Sequence, residues 1–239
     1  MTCLWVQEIG DGDEVYDQPV LPDASIDVIS GGNDVVVAGP ATRPLTASLV
    51  PRSLTVGIRF RPGGAPPVLG VTAVELRDQE VTVSELWGAA GETMAARTTD
   101  AADWRARLGV LVDGLAGRLD DASPADRVAT GIATTLTEHP GHPVHRLAYD
   151  AALSERQLRR RVEAAVGYSP RTLARILRFQ RFLRAARSPQ QHRRDLAGLA
   201  AETGYADQAH LTRESSRLGG LPPAALLDWE RERLTGAQK

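Results

Sequence analysis

Leu153-Ser154-Glu155-Arg156-Gln157-Leu158-Arg159-Arg160-Arg161-Val162, followed by Gly167-Tyr168-Ser169-Pro170, is the stretch that decides the fold. A residue suited to capping a helix opens it, and a Gly-x-x-Pro exit closes it. Leu147-Ala148 stands just upstream. The same grammar returns as Leu199-Ala200, then Gly204-Tyr205-Ala206-Asp207-Gln208-Ala209-His210-Leu211-Thr212-Arg213, then Gly220-Leu221-Pro222-Pro223. Each copy reads as a short helix, a tight connection and a second helix opened by Ser or Asp, which is the pattern of a helix-turn-helix. Two such units on one chain point to a protein that reads double-stranded DNA.

Stepping at about 100° per residue from Ser154 gathers Leu158, Val162, Ala165 and Val166 on one side of the first recognition helix. Arg156 and Arg160 point away from that side, flanked by Gln157, Arg159 and Glu163. Ser154 with Gln157 three residues later specifies the helix start. A guanidinium matches guanine O6 and N7 with two hydrogen bonds, worth about 1–3 kcal/mol of discrimination. In the second unit Asp207 caps, Leu211 and Leu218 face inward, and Ala209, His210, Arg213, Ser216 and Arg217 face outward; Arg213 has the geometry to bind guanine through two bonds. Ser215 falls on the buried face, where a large apolar residue is expected, so the packing here should be weaker. The first unit is therefore expected to supply more affinity and sequence preference.

From Ser169-Pro170 to Arg187 the chain reads as a connecting helix, with Leu173, Ile176, Leu177 and Leu183 opposite Arg171, Arg175 and Arg178. About 18 residues at 1.5 Å each span about 27 Å. With the helices at its ends, such a strut can set two recognition helices roughly 34 Å apart, one turn of B-DNA. Its outward arginines face either phosphate or the acidic first half, and the sequence leaves both open.

The net charge of −2 over 239 residues conceals an asymmetry. Residues 1–125 carry 9 Arg and no Lys against 18 Asp+Glu, while 126–239 carry 19 Lys+Arg against 12 Asp+Glu. Between Ser154 and Arg194, 12 Arg oppose Glu155 and Glu163 alone. An acidic half joined to a basic half marks a domain boundary. Asp120-Asp121-Ala122-Ser123-Pro124 supplies it, dividing the chain into 1–122 and 123–239.

The first half reads as β-rich. Ser25–Ser30 and Val35–Ala38 flank Gly31-Gly32-Asn33-Asp34 in the manner of a hairpin. Leu45–Val50 and Leu54–Phe60 continue the pattern around Pro51-Arg52-Ser53. Four or five strands make a small sheet or partial barrel, cupin-like in outline. Short helices are expected around Pro67–Val71 and Ser84–Trp87. From Asp100 a helical stripe of Trp104, Leu108, Leu111, Val112, Leu115 and Leu119 follows. Trp5, Trp87 and Trp104 are expected in the core or at an interface. The fold class expected is α+β, a β-rich first domain followed by an all-α domain with two helix-turn-helix units on a long helix.

Residues 1–125 contain no His, which argues against a histidine-ligated metal enzyme. Asp23 and Asp27 are expected as surface acids. Arg59 and Arg61, two apart in a strand, are weak candidates for an anionic ligand, with pairing to local acids the plainer expectation. His139, His142 and His145 lie among Pro140, Gly141 and Pro143, which break the helix that would gather them, so a polar loop without metal is expected. No catalytic residue and no cofactor is expected. Cys3 is the single cysteine, so no intrachain disulfide forms. Met1 to Glu14 run into acid where a signal peptide is basic and then apolar, and no apolar run approaches the 18 or so residues of a membrane span. A soluble cytoplasmic protein without membrane association is expected.

The second half resembles the AraC/XylS family of transcriptional regulators over about residues 126–227. The likeness rests on Leu153-Ser154-x-Arg156-x-Leu158-x-Arg160, Gly167-Tyr168-Ser169-Pro170, Arg178-Phe179 and Gly204-Tyr205-x-Asp207-Gln208-x-x-Leu211-x-Arg213. It implies Arg156, Gln157, Arg159 and Arg160 at base-facing positions of the first unit and Gln208, Ala209, His210 and Arg213 at those of the second. Ser169, with Arg171 beside it, and Pro223 would lie against phosphate. Val162 and Ser215 stand where that family usually has Phe, and Leu226 where an aromatic is common, which implies looser units, the second more so. The first half resembles an N-terminal domain of unknown function found in some such regulators, through Leu21-Pro22-Asp23, Asp27-Val28, Val56-Gly57-Ile58-Arg59-Phe60-Arg61-Pro62-Gly63 and Leu86-Trp87-Gly88. A sensing or dimerising role follows from that likeness: a small-molecule effector, a homodimer, or both. The competing reading is a small-molecule-binding protein or enzyme domain tethered to a DNA-binding module.

Overall fold

The computed structural model describes residues 3–11, 15–120, 122–187 and 195–236. Met1, Asp13, Glu14, Asp121, Arg193 and Arg194, which entered the readings above, lie outside the described residues.

The first body is built on β3 (Ile26–Gly31), whose apolar residues meet their cross-strand partners in register. Val28 lies opposite Ile58 of β6 (Leu54–Phe60) and opposite Val37 of β4 (Asp34–Ala38). β1 (Cys3–Glu8) adds to the far side of β6, and β7 (Glu80–Thr82) to the far side of β4. The antiparallel order is therefore β1-β6-β3-β4-β7. Val28, Val35, Val37, Val56 and Ile58 are fully buried, or nearly so, on the face covered by helices. Those helices are α1 (Pro66–Leu69), α2 (Val83–Trp87), α3 (Ala89–Thr99) and α4 (Trp104–Ala116).

The strands flanking Pro51-Arg52-Ser53 prove to lie in different sheets. β5 (Leu45–Leu49) pairs with β2 (Tyr16–Val20) in a two-stranded ribbon. Arg52 adopts a positive φ of 58°, and its N–H donates to Gly10 while Ile9 donates to Ser53, so the turn closes on the end of β1. β1 carries no alternation that the sequence exposes, because it is a largely exposed edge strand. On α4, Leu108, Leu111 and Leu115 are buried, but Val112 is exposed, as is Leu119 in the turn past the helix end, which narrows the expected stripe.

On the opposite face of the sheet, Asp27 stands directly across from Arg59. The guanidinium donates to both oxygens of Asp27 and pairs at 2.8 Å with Asp23 from the β2–β3 loop. Trp5 donates its indole N–H to Asp27 and lies so close over Gly57 that a Cβ there would sit 2.4 Å from the ring. Asp27, only 8% exposed, is thus not a surface acid. Hydrogen bonding to Asp27 pushes the Arg59 pKa further up. Arg59 is neutralised by these carboxylates, which removes it from the anion-binding pair; Arg61 is exposed at the end of the strand.

The second body is all helix: α5 (Arg127–Glu138), α6 (Val144–Asp150), α7 (Glu155–Val166), α8 (Pro170–Ala186), α9 (Leu196–Thr203), α10 (Gln208–Gly219) and α11 (Pro223–Gly236). Leu158, Val162, Leu173, Ile176, Phe179, Phe182 and Leu211 are fully buried at its centre. The 17 residues of α8 make a strut of about 25 Å. Two forked ion pairs tie the helices together. Arg161 of α7 donates to both oxygens of Asp126, the N-cap of α5, at 2.7 and 2.8 Å. Arg175 of α8 donates to both oxygens of Glu214 on α10 at 2.7 Å. Arg178 reaches the Pro140 carbonyl and the face of Tyr205. Arg175 and Arg178 therefore serve the helical body itself, whereas Arg171 at the start of the strut is exposed.

The two bodies are joined closely. Ala24, with a φ of 64°, carries the β2–β3 loop into the helical core, and Gln180 of α8 donates to Pro22 there. Pro40 packs on Gly167, and the buried Tyr168 donates its hydroxyl to the Ala41 carbonyl at 2.6 Å. The Ala73 N–H donates to Ala164, near the end of α7.

Tyr168→Phe strands the Ala41 carbonyl and should cost about 1–3 kcal/mol, seen as a lower melting temperature in a thermal scan. Burial pulls the Glu214 carboxyl up, but hydrogen bonding and charge from Arg175 outweigh it and hold it below its usual range. The stability this carboxylate contributes is therefore present above about pH 4 and lost as pH falls through its lowered folded value. Glu214→Gln should be less stable than the parent chain near neutrality, with the gap closing in urea titrations below that pH.

Candidate nucleic-acid interface

The two recognition helices, α7 and α10, are set up by matching local chemistry. In the first unit Ala152 takes a positive φ of 52° and Leu153 donates to the Ala148 carbonyl at 2.9 Å. In the second, Gly204 takes φ 87° and Tyr205 donates to Ala200 at the same distance. Each pattern ends one helix sharply and turns the chain into the next. Ser154 then caps α7 with a complete capping box through Gln157, and Asp207 caps α10 by accepting from the His210 N–H. Gly167 and Gly220, both in the left-handed region, end the two recognition helices.

Counting from these caps aligns the units residue by residue. Leu158 and Leu211 occupy one position and are fully buried; Val162 and Ser215 occupy another and are also fully buried. Arg160 and Arg213, six residues past their caps, share an exposed position. One residue further on, Arg161 and Glu214 share the position that ties each recognition helix to its scaffold, with the charges exchanged. The clamp therefore holds the helix from one side while the neighbouring arginine is free on the other.

Ser215 does not leave a polar gap, because its hydroxyl donates to the Leu221 carbonyl at 2.9 Å. Gly219 lets Leu226 and Phe179 close in beside it, so a smaller side chain at Leu226 fits where an aromatic was anticipated. Arg156, Gln157, Arg159 and Arg160 are all exposed on α7, as are Gln208, Ala209 and Arg213 on α10. Arg159 also pairs with Glu163 at 2.8 Å one turn along. His210 is half-buried, its ring edge against Tyr205 and its Nδ1 facing the Ala206 N–H. Ser169 caps α8 by accepting from Thr172, and Arg171 stands beside it, facing Arg156 across a shallow cleft.

The three histidines stay apart from any metal-like cluster: among the described residues no group of three His, Cys, Asp or Glu side chains gathers. His139 caps the end of α5, and His142 is half-buried in the loop that follows. The structural signal that sequence reading lacked is the exchanged clamp, since its partners Asp126 and Arg175 lie 35 and 39 residues from the residues they hold. Among the described residues, no helix is long and apolar enough to cross a membrane.

Residues 1–82 match the family model described as a domain of unknown function, DUF6597, and residues 147–228 match the model described as a helix-turn-helix domain. No curated protein matches the chain. Among solved structures, ToxT from Vibrio cholerae in its P21 form aligns with a TM-score of 0.47 at 10% identity, covering 94% of this chain and 96% of that one. ToxT from Vibrio cholerae bound to an unsaturated fatty acid aligns at 0.43 and 11% identity, covering 94% of each chain. Residues 147–228 thus form an AraC-type helix-turn-helix domain behind a domain of unknown function, which makes the chain a DNA-binding transcriptional regulator.

Proposed function

We propose that this regulator is sequence-specific and reads two successive major grooves with one chain. Arg156, Gln157, Arg159 and Arg160 address the bases of the first groove, and Gln208, Ala209 and Arg213 those of the second, with His210 at their margin. Ser169 and Arg171 take phosphate. The observation that carries this reading is the exposure of Arg160 and Arg213 at one equivalent position on two capped helices, each anchored by a fully buried leucine. The first unit presents three exposed arginines to the second unit's Arg213 and Arg217, which supports the larger share of affinity for the first.

Residues 1–122 and 123–239 form the two domains of this reading, the first sensing and the second binding. A cavity of about 720 Å³ lies where they meet, walled by Pro66, Pro67 and Val68 on one side and by Ala164 and Ala165 of α7 on the other. A small effector seated there touches the reverse side of the first recognition helix directly. Regulation through binding rather than turnover, a second copy paired through the first domain, and action in the cytoplasm where promoter DNA is found complete the proposal.

Selection of bound fragments from a random DNA pool tests it, and failure to prefer any fragment over random DNA near physiological salt overturns it. Arg160→Ala and Arg213→Ala should each relax preference at one base pair and cost about 1–3 kcal/mol in competition binding. Uniform weakening across sequences would instead assign these side chains to phosphate.

A further inference from the structure

A second cleft, of about 350 Å³, separates the first domain from the helical units. Thr42, Arg77 and Asp78 form one wall; Arg159, Ser169 and Arg217 belong to the other. Its charges do not cancel. Asp78 spends its two oxygens on the Thr42 N–H and hydroxyl, at 2.6 and 2.8 Å. Arg159 is held by Glu163, and Arg175, also on the cleft, by Glu214. Among the described residues Arg77 meets only the neutral Gly167 carbonyl, at 3.4 Å, and Arg217 is exposed on the facing wall. The cleft thus brings two guanidiniums to opposite walls, with Ser169 and Thr172 also lining it.

The position of the cleft matters as much as its charge. Arg217 lies four residues past Arg213, hence one turn along the same face of α10. Arg159 borders Arg160 on α7. The cleft therefore opens between the base-facing sides of the two recognition helices. The first domain is fixed there by a loop that meets both units: Pro40 packs on Gly167 at the exit of the first, and Pro44 lies beside Gly220 at the exit of the second.

We propose that this cleft seats a phosphate of the DNA backbone lying between the two grooves read by α7 and α10, so that Arg77 makes the first domain part of the DNA-contacting surface. The proposal rests on the two-groove reading above. A guanidinium presents its N–H groups in a fork that suits phosphate oxygens, and two forks from facing walls hold one phosphodiester without reading its sequence. An acidic domain of 9 arginines and 18 carboxylates in residues 1–125 would otherwise only repel the duplex. Placing Arg77 at this edge turns a repelling neighbour into a contact.

The test uses the full chain, a DNA fragment taken from the random-pool selection, random DNA as the comparison, and binding measured by fluorescence anisotropy from 50 to 200 mM salt. Arg77→Ala should weaken binding equally on both DNAs and reduce the salt slope by about one, so that its deficit relative to the parent chain shrinks about threefold across that range. Arg217→Ala should behave alike, and Arg77→Lys should keep the slope. Because Arg77 also holds Gly167, thermal unfolding of each variant separates lost folding from lost contact; Arg217 makes no such bond to the described residues and serves as the second probe. A parent chain that binds the fragment while the slope stays unmoved in both alanine variants overturns the inference alone. Tighter binding by Arg77→Ala also overturns it, and shows that the first domain screens the duplex. A parent chain that binds no DNA overturns the two-groove reading and the inference together.

Discussion

Each recognition helix is held by a guanidinium–carboxylate fork at the same position, and the presentation of its outward arginines depends on that hold. In the first unit the helix supplies the arginine and the scaffold the acid; in the second the roles are exchanged. Partly buried forked pairs of this kind fix orientation more than they add stability, since desolvation offsets much of the attraction. Fixing orientation is what a DNA reader needs. A recognition helix free to roll about its axis would swing the exposed Arg160 or Arg213 to a new direction while keeping its buried leucine in place. The fork removes that freedom one residue away from the exposed arginine.

The first domain is attached to this device at its least forgiving points. Gly167 and Tyr168 end the first recognition helix and begin the strut, and there Pro40 and the Ala41 carbonyl bear on them. Gln180, further along the strut, is held by Pro22. The loop that brings Pro22 is itself pinned by the Asp23–Arg59 pair at the back of the sheet. A path of direct contacts therefore runs from the polar face of the sheet, through one short loop, to the helix that carries both units. A small displacement of the first domain has no slack to absorb it before reaching Tyr168.

Much of the helical half was legible because its signals are local. The capping box of Ser154 and Gln157, the burial of Leu158 and Val162, and the exits at Gly167 and Gly220 each depend on residues within one or two turns. The exposure of Arg156, Arg160 and Arg213 agrees with helical period alone, whereas His210, placed outward by the same period, is half-buried against Tyr205. Most of what escaped reading depends on partners far along the chain. Asp27 looked like a surface acid until its neighbour across the sheet, 32 residues away, turned out to be Arg59. Arg175 looked free until α10 brought Glu214 beside it. Strands β1 and β2 gave no warning because an exposed edge and a two-stranded ribbon lack the one-sided burial that produces alternation. Ser215 was read as a packing defect because composition shows a missing volume but not the carbonyl of Leu221 waiting for the hydroxyl.

The bond between the middle of α8 and α10 also limits what the chain can accept as a target. With α10 clamped to the strut and α7 to α5, which packs on the same strut, two blocks of sequence read as proposed above must keep a constant phase around the duplex. One base pair added between those blocks turns the second by about 34° and carries it about 3.4 Å away. A jointed protein would swivel to follow. Here only bending or twisting of the DNA can make up the difference, so operators for this regulator should tolerate base changes in the spacer far better than changes in its length.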